Sequence, residues 1–570
     1  MKHKLVLTYV PIVVLLLLVG ALYGYSIREY VEKDENTVEY VYEWNPIIAS
    51  VVNNNTFTLT VDGKEFSSVK DDMYMSSNRN IMMSVDEVIE AFDCATNYYE
   101  GSRVKVEKGV DIISMSLDKN QIVVNGIKAE SKSMPEIING KAYVPINVLC
   151  DTLKYSFTWD GILNVGTVIN SDSTRRKLPY KYSYVENRRV PSVKDQGQYG
   201  TCWAFSALTA LESTLLPENK YDFSEDHMSM NNPFNIMQNE GGDYNMAIAY
   251  LTSWKGPVLE KDDPYGDGET DDTLSAVLHV QEAQLIEGKN IEEVKEMIFK
   301  YGGVESFIYM AGTNNDIQYS GFYNYEQNSY CYIGTEKPNH DVVIIGWDDN
   351  YPKENFTTVP EADGAFLCRN SWGEDFGEDG NFYVSYYDTN IAVHSLVYTK
   401  IEPANNYAKL YQSDLCGMVG MLGYGKEIAY FANVYTAEND EIIKAVGMYA
   451  VGKDTDYSIY VIPSFESEQS LNKRGEVNTE GNFKNSGFYT VKLNEPVKIK
   501  KGEKFAVVVK VNTPNSKRPV AVEYVSSYQT ETVELTDGEG YISLRGIEWE
   551  NTETNQKCNI CLKVYTDNVQ

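Results

Sequence analysis

The sequence predicts a multidomain chain of three folded parts: a small α+β repeat unit, a central α+β unit and an all-β sandwich. Three observations predict this. Between residues 53 and 170 the succession of extended start, amphipathic helix and two strand-like runs occurs twice. Near residue 200 a glycine-containing loop turns into a helix-type pattern, and strand-like runs follow further on. After Pro403 the pattern is one of short extended runs separated by Gly, Asn, Asp and Lys-Gly turns.

Residues 1–26 begin with a basic Met-Lys-His-Lys and continue as an uncharged apolar stretch over 5–25. At about 1.5 Å per residue that stretch is long enough to span a bilayer. It is expected to be a signal anchor or a signal peptide, followed by a linker over 27–52. In either case the bulk of the chain is exported, and as an anchor the segment leaves everything after Arg28 outside. With Lys+Arg 50 against Asp+Glu 82 the net charge is −32, which argues against nucleic acid as a partner and leaves residues 5–25 as the membrane contact.

Over 53–172 the piece NIMMSVDEVIEAFDCATNYYEGSRVKVEKG is echoed by KAYVPINVLCDTLKYSFTWDGILNVGTVIN. Arg175, Arg176 and Lys177 then make a basic linker ahead of a central unit over 173–400. In the final part, 401–570, runs such as EIAYFANVYT and KFAVVVKV imply an antiparallel sandwich.

Cys202 stands where the loop turns into the helix, with apolar residues at Phe205, Leu208 and Leu211, an N-cap candidate at Thr201 and a stop at Pro217. The pattern predicts an amphipathic helix. Its N-terminus exposes unpaired N–H groups and the positive end of the dipole, an environment that favours a thiolate. A nucleophilic sulfur needs a base. Of the five histidines, His279 lies in the apolar stretch LSAVLHV and reads as structural, whereas His340 opens the buried-strand pattern NHDVVIIGWDD. Asn370 and Trp372 fall on a later loop, an amide suited to orienting an imidazole and an indole suited to shielding it.

These residues resemble the papain family of cysteine peptidases, over about residues 177–400. Gln196 precedes Cys202 by six positions; Phe223-Ser224-Glu225 resembles the family's LSE turn; Tyr319-Ser320-Gly321-Phe322-Tyr323 resembles its YSGIY segment; and Asn370-Ser371-Trp372-Gly373 is its NSWG. The resemblance implies a helical lobe and a β-barrel-like lobe. It also implies Cys202 as nucleophile, His340 as general base, Asn370 as the residue holding the ring, and Gln196 with the Cys202 N–H as oxyanion donors. Gly241 and Gly242 would bind substrate backbone, with Trp203 and Trp372 beside them. Protein or peptide is the implied substrate, with no cofactor and no metal.

Departures from the family pattern accompany these matches. Tyr199 and Asn231 occupy the two positions where many members carry a disulfide. Asp341 follows the histidine where a small residue is usual, either raising the imidazolium's basicity or facing solvent. The insertion DDNYPKENFTTVPEADG reads as a surface loop between paired strands, and no helical inhibitory propeptide precedes Leu178.

The flanking parts resemble exported bacterial modules: 53–172 a copper amine oxidase N-terminal-like (stalk) repeat, without the clustered ligands copper needs, and 401–570 a lectin-like domain. The acidic loop from Asp262 to Asp272 reads as a solvated turn in preference to a calcium site, and Cys558 and Cys561 as strand residues in preference to a metal or redox pair. The expectation is an exported, cell-surface cysteine endopeptidase with a Cys-His-Asn site and an acyl-enzyme intermediate, secreted or held on the outer face of a bacterial membrane. The alternative is a catalytically retired scaffold acting as an adhesin that binds cell-wall polymer or glycan through its C-terminal domain.

Overall fold

A computed structural model describes residues 57–170, apart from short stretches at its turns, and residues 178–569 apart from 188 and 537. The apolar segment 1–26, the 27–52 linker and the basic Arg175-Arg176-Lys177 lie outside the described residues. Among the described residues no helix is long and apolar enough to cross a membrane.

The sequence repeat is a structural repeat. Strand Ile81–Ser84 runs into helix Val85–Phe92, and strand Lys141–Pro145 runs into helix Ile146–Leu153. The two strands pair antiparallel, Tyr143 opposite Ser84 and Val144 opposite Met83, so each copy supplies the partner the other needs. Val88, Phe92, Val144 and Leu149 are fully buried between them. A lone copy would expose that apolar face, which is the physical reason for two.

In the central unit helix Cys202–Leu215 is the axis of packing. The predicted boundaries agree with the observed helix, but its amphipathic character does not: every residue from Trp203 to Leu215 is buried. The polar positions that read as a solvent face, Ser206, Thr209, Glu212 and Ser213, are enclosed by neighbouring elements. Ser213 and Thr214 return hydroxyl hydrogen bonds to the Ala210 carbonyl, and Glu212 Oε1 meets the Lys194 ammonium and the Phe223 N–H, so these polar groups find partners inside.

Beside the helix lies strand His340–Asp348, buried along nearly its whole length. Strand Val304–Ile308 pairs with it on one side and Ala365–Arg369 on the other. The insertion between those paired strands is a loop as expected, though not a bare surface one. Its Tyr351 and Phe356 bury themselves with Cys331 and Ala365 in a satellite core.

The sheet continues across the boundary between the central and C-terminal parts. Strand Leu278–Glu287 pairs with His394–Pro403 on one edge and with Ser486–Ile499 on the other, Glu282 opposite Tyr489 and Leu285 opposite Ser486. From there the path passes to Glu441–Ala450 and Leu562–Asn568. A second antiparallel sheet, centred on Ile428–Thr436 and Lys504–Asn512, covers it to make the expected sandwich. The period-2 pattern of KFAVVVKV explains the packing: Phe505, Val507, Val509 and Val511 enter the intersheet core, while Ala506 and Val508 face a smaller cluster with Trp549.

Candidate active site

Cys202 is the first residue of its helix. Of the eight cysteines, all unpaired, it is half-buried and the other seven are buried. Its sulfur accepts hydrogen bonds from the backbone N–H groups of Asp341 and Trp203. The sulfur therefore lies against the first peptide of the strand that His340 opens. Cys202 and His340 are 138 positions apart in sequence, and packing of the helix on that strand brings the sulfur to the Asp341 amide, next in the chain to His340.

His340 is buried, and its Nε2 donates to Asn370 Oδ1 at 2.7 Å. An amide oxygen only accepts, so this bond fixes the tautomer with hydrogen on Nε2 and leaves Nδ1 bare as the base. The same Oδ1 accepts the Ser371 N–H at 2.9 Å, which locks the carboxamide in place. Trp372 lies over the imidazole, ring centroids 4.9 Å apart, and excludes water from the His340–Asn370 contact.

Burial pushes the Cys202 thiol up, with the Asp341 carboxyl adding to the effect; the two N–H groups at the sulfur pull the other way and do not prevail. Burial also lowers His340, to about 4, against the opposing pull of Asn370. Burial of the site thus works against the thiolate that the helix N-terminus favours.

Gln196 is anchored at both ends of its amide. Its Nε2 donates to the Tyr199 carbonyl at 2.8 Å, and its Oε1 accepts from the Ser371 hydroxyl at 2.6 Å. The second N–H of Nε2 remains for a ligand. The Cys202 N–H, in the first helical turn, has no acceptor within the helix.

Gly241 and Gly242 form the opposite wall. A Cβ on Gly242 would fall 2.4 Å from the Trp203 indole nitrogen, and one on Gly200 would fall 2.8 Å from the Gly241 nitrogen. Only glycine permits that approach. Trp203, 1% exposed, is thus placed beneath the glycine pair and supports the wall without reaching the cleft surface.

Several residues at the site were not singled out by sequence reasoning. Tyr265 donates its hydroxyl to the Gln196 carbonyl at 2.9 Å and shares a 2.7 Å hydrogen bond with Thr201, bracing the loop before Cys202. It stands within the acidic loop, which is largely exposed as expected except for the buried Asp263. That carboxyl accepts from Thr270 Oγ1 and the Asp271 N–H. An aromatic in an otherwise polar loop is the signal that marks it. Tyr265 also packs edge-on against Tyr199, and Asn231 donates to Thr270, so both positions of the missing bridge are joined to the acidic loop.

Asp341 does not face solvent. It is buried, facing Glu305 and Cys202. His279 is structural, stacked on Trp254 at 4.0 Å. Among the described residues no group of His, Cys, Asp or Glu is placed to hold a metal ion.

Papain family cysteine protease is the description matched over residues 178–401, flanked by a copper amine oxidase N-terminal domain over 60–168 and a lectin like domain over 410–566. Cathepsin L 2 of Paramecium tetraurelia is 32% identical over 238 residues, covering 40% of this chain and 67% of that protein. The chain belongs to the papain family of cysteine proteases. A viral cathepsin of Epiphyas postvittana nucleopolyhedrovirus is 28% identical over 226 residues, 39% of this chain and 64% of that one, so the chain spans just under two thirds of this relative. Beyond the catalytic segment, the likeness extends to a solved structure of the cysteine protease and lectin-like domains of Cwp84, a surface layer associated protein of Clostridium difficile. It is 27% identical with a TM-score of 0.60 and covers 69% of this chain and 90% of that one.

Proposed function

We propose that this papain-family chain is an exported cysteine endopeptidase that hydrolyses peptide bonds with Cys202, His340, Asn370 and Gln196. The observation that carries the reading is the 2.7 Å bond from His340 Nε2 to Asn370 Oδ1, which leaves Nδ1 as the base on a residue whose neighbour in the chain, Asp341, holds the Cys202 sulfur at its amide.

The reaction follows from that arrangement. The Cys202 Sγ–H proton passes to His340 Nδ1 as the sulfur attacks the scissile carbonyl carbon. The carbonyl oxygen becomes an oxyanion, held by the free N–H of Gln196 and the Cys202 backbone N–H. Collapse breaks the C–N bond, and the imidazolium returns the proton to the leaving amine. Water then attacks the thioester, giving its proton to the imidazole, and release of the carboxylic acid restores the thiol.

The apolar segment 5–25 and the likeness to a surface layer associated protein support an extracellular location. The lectin-like region supports tethering to wall polymer or glycan, with its strands continuous with the catalytic sheet. The test is treatment of the full chain with an epoxide thiol inhibitor, followed by peptide mapping and a peptide-library digest, with Cys202→Ala as control. An adduct on Cys202 and turnover lost in the variant are expected. Absence of both adduct and turnover in the wild type would sink the reading.

A further inference from the structure

Next to the Cys202 sulfur the chain buries carboxyl groups that no cation among the described residues neutralises. In the strand pair Val304–Ile308 and His340–Asp348, Phe307 stands opposite Asp341 and Glu305 opposite Val343. Asp341 and Glu305 are therefore diagonal neighbours on one face of the sheet, the face turned to the Cys202 helix. Glu305 is 0% and Asp341 8% exposed. Both oxygens of Glu305 and the Oδ2 of Asp341 have no hydrogen-bond partner.

A third carboxyl closes the group. Asp243 caps the helix Tyr244–Thr252 immediately after the Gly241-Gly242 wall, its Oδ1 accepting from Asn245 and Met246 N–H groups. Tyr244 meets Phe307 ring to ring at 5.4 Å, which sets that helix start beside the strand pair. Asp243 itself is exposed, so the group opens to the cleft. Burial raises both Glu305 and Asp341, and neighbouring carboxyls add to it, Asp341 and Asp243 for Glu305 and Asp243 for Asp341. Burying unpaired carboxyls is costly, and a ligand cation placed among them would offset that cost.

We propose that the pocket walled by Asp341, Glu305 and Asp243 takes a cationic group of the peptide substrate, the side chain of a lysine or arginine within about two residues of the scissile bond. The proximity follows from Asp341, whose backbone N–H is itself bonded to the sulfur. The site would select among peptides by charge, since an apolar side chain leaves the carboxyls unpaired and a cation satisfies them. The inference rests on the endopeptidase reading for its substrate class.

The experiment compares N-acetylated peptides that differ only by lysine or norleucine at each position in turn, using the full chain. A free-amine norleucine peptide tests whether the substrate's terminal ammonium serves in place of a side chain. The expected result is a kcat/KM ratio of lysine over norleucine of at least tenfold at one position near the cleaved bond, or the same gain for the free-amine peptide if the terminus is the source. In Asp341→Asn and Glu305→Gln that ratio falls towards one. Because each ratio is taken within one variant, it is insensitive to the fraction folded. Cleavage with no preference for either cation overturns the proposal, as does a preference that survives both substitutions. Binding of the same peptides to Cys202→Ala, followed by calorimetry, reads the pocket independently of turnover. Cation-selective binding there supports the pocket even if the catalytic reading fails, and unselective binding overturns it.

Discussion

The Ser371 hydroxyl donates to Gln196 Oε1 at 2.6 Å, while the Ser371 N–H donates to Asn370 Oδ1 at 2.9 Å. One residue thus positions the oxyanion amide and the amide that holds the base. Ser371→Ala removes the first bond and spares the second. Losing one hydrogen bond of about 1 kcal/mol predicts a fall in kcat of roughly fivefold with little change in KM. Gln196→Ala, which removes the donor itself, should cost ~10²–10³ in kcat. Steady-state kinetics on both variants checks the order, and a Ser371→Ala loss as large as that of Gln196→Ala would show that the hydroxyl does more than position.

The acid limb of activity should lie well below the ordinary histidine range. His340 must be neutral to accept the Cys202 proton, and burial lowers it to about 4. A lowered base is present above its pKa and lost as pH falls through it. The profile of kcat/KM, which reports the free enzyme, should therefore hold to about pH 5 and fall near pH 4. A limb at pH 6 to 7 would mean that the imidazole is far better solvated than its buried position implies.

The candidate site residues were legible in the sequence because they sit at fixed places in local patterns: Cys202 at a loop-to-helix change, His340 at the start of an apolar run, Asn370 between two such runs. The repeat over 53–172 was legible for the same reason, an alternation that recurs. What stayed hidden depends on tertiary neighbours. The helix Cys202–Leu215 reads as amphipathic, but its polar face is enclosed by elements that no local pattern reveals. Burial at the sulfur, which opposes the helix terminus, is likewise set by tertiary neighbours. Asp341 left two readings open, and its burial beside Glu305 on the adjacent strand rules out the solvent-facing one.

Lys194 is the cation that makes the interior behind the site tolerable. Its ammonium lies 2.7 Å from Glu225, 3.1 Å from Glu212 and 3.0 Å from Asp222. Glu212 and Glu225 are each 1% exposed. Lys194→Met leaves both unpaired and should cost about 3–5 kcal/mol. The sign with pH follows from what the lysine does: it lowers both glutamates, so its removal raises them further and the deficit is relieved by protonation. Burial already raises Glu225 to about 8 with the lysine present. Thermal melts should show the gap to wild type widening as pH rises through about 8, where Glu225 ionises in the wild type and stays protonated in the variant, and a gap independent of pH would mean that the loss is one of packing alone.

Gly487 tests whether the sheet that crosses from the catalytic part to the lectin-like part binds the two into one folding unit. It pairs with Gln284 on one side and Ala450 on the other. Its φ is +139°, and an added Cβ would fall 2.2 Å from the Ala283 carbonyl oxygen. Gly487→Val therefore meets both a backbone conformation reserved for glycine and a collision with the neighbouring strand. Together these should cost about 2–5 kcal/mol, located at the junction. Calorimetry of the wild type is expected to show the central and C-terminal parts melting in one transition, and the variant to show that transition split, the catalytic part unfolding first because it loses a strand partner for Leu278–Glu287. Two separate transitions already present in the wild type would show that the shared pairing contributes little coupling, and that the lectin-like part is a tether without a structural hold on the site.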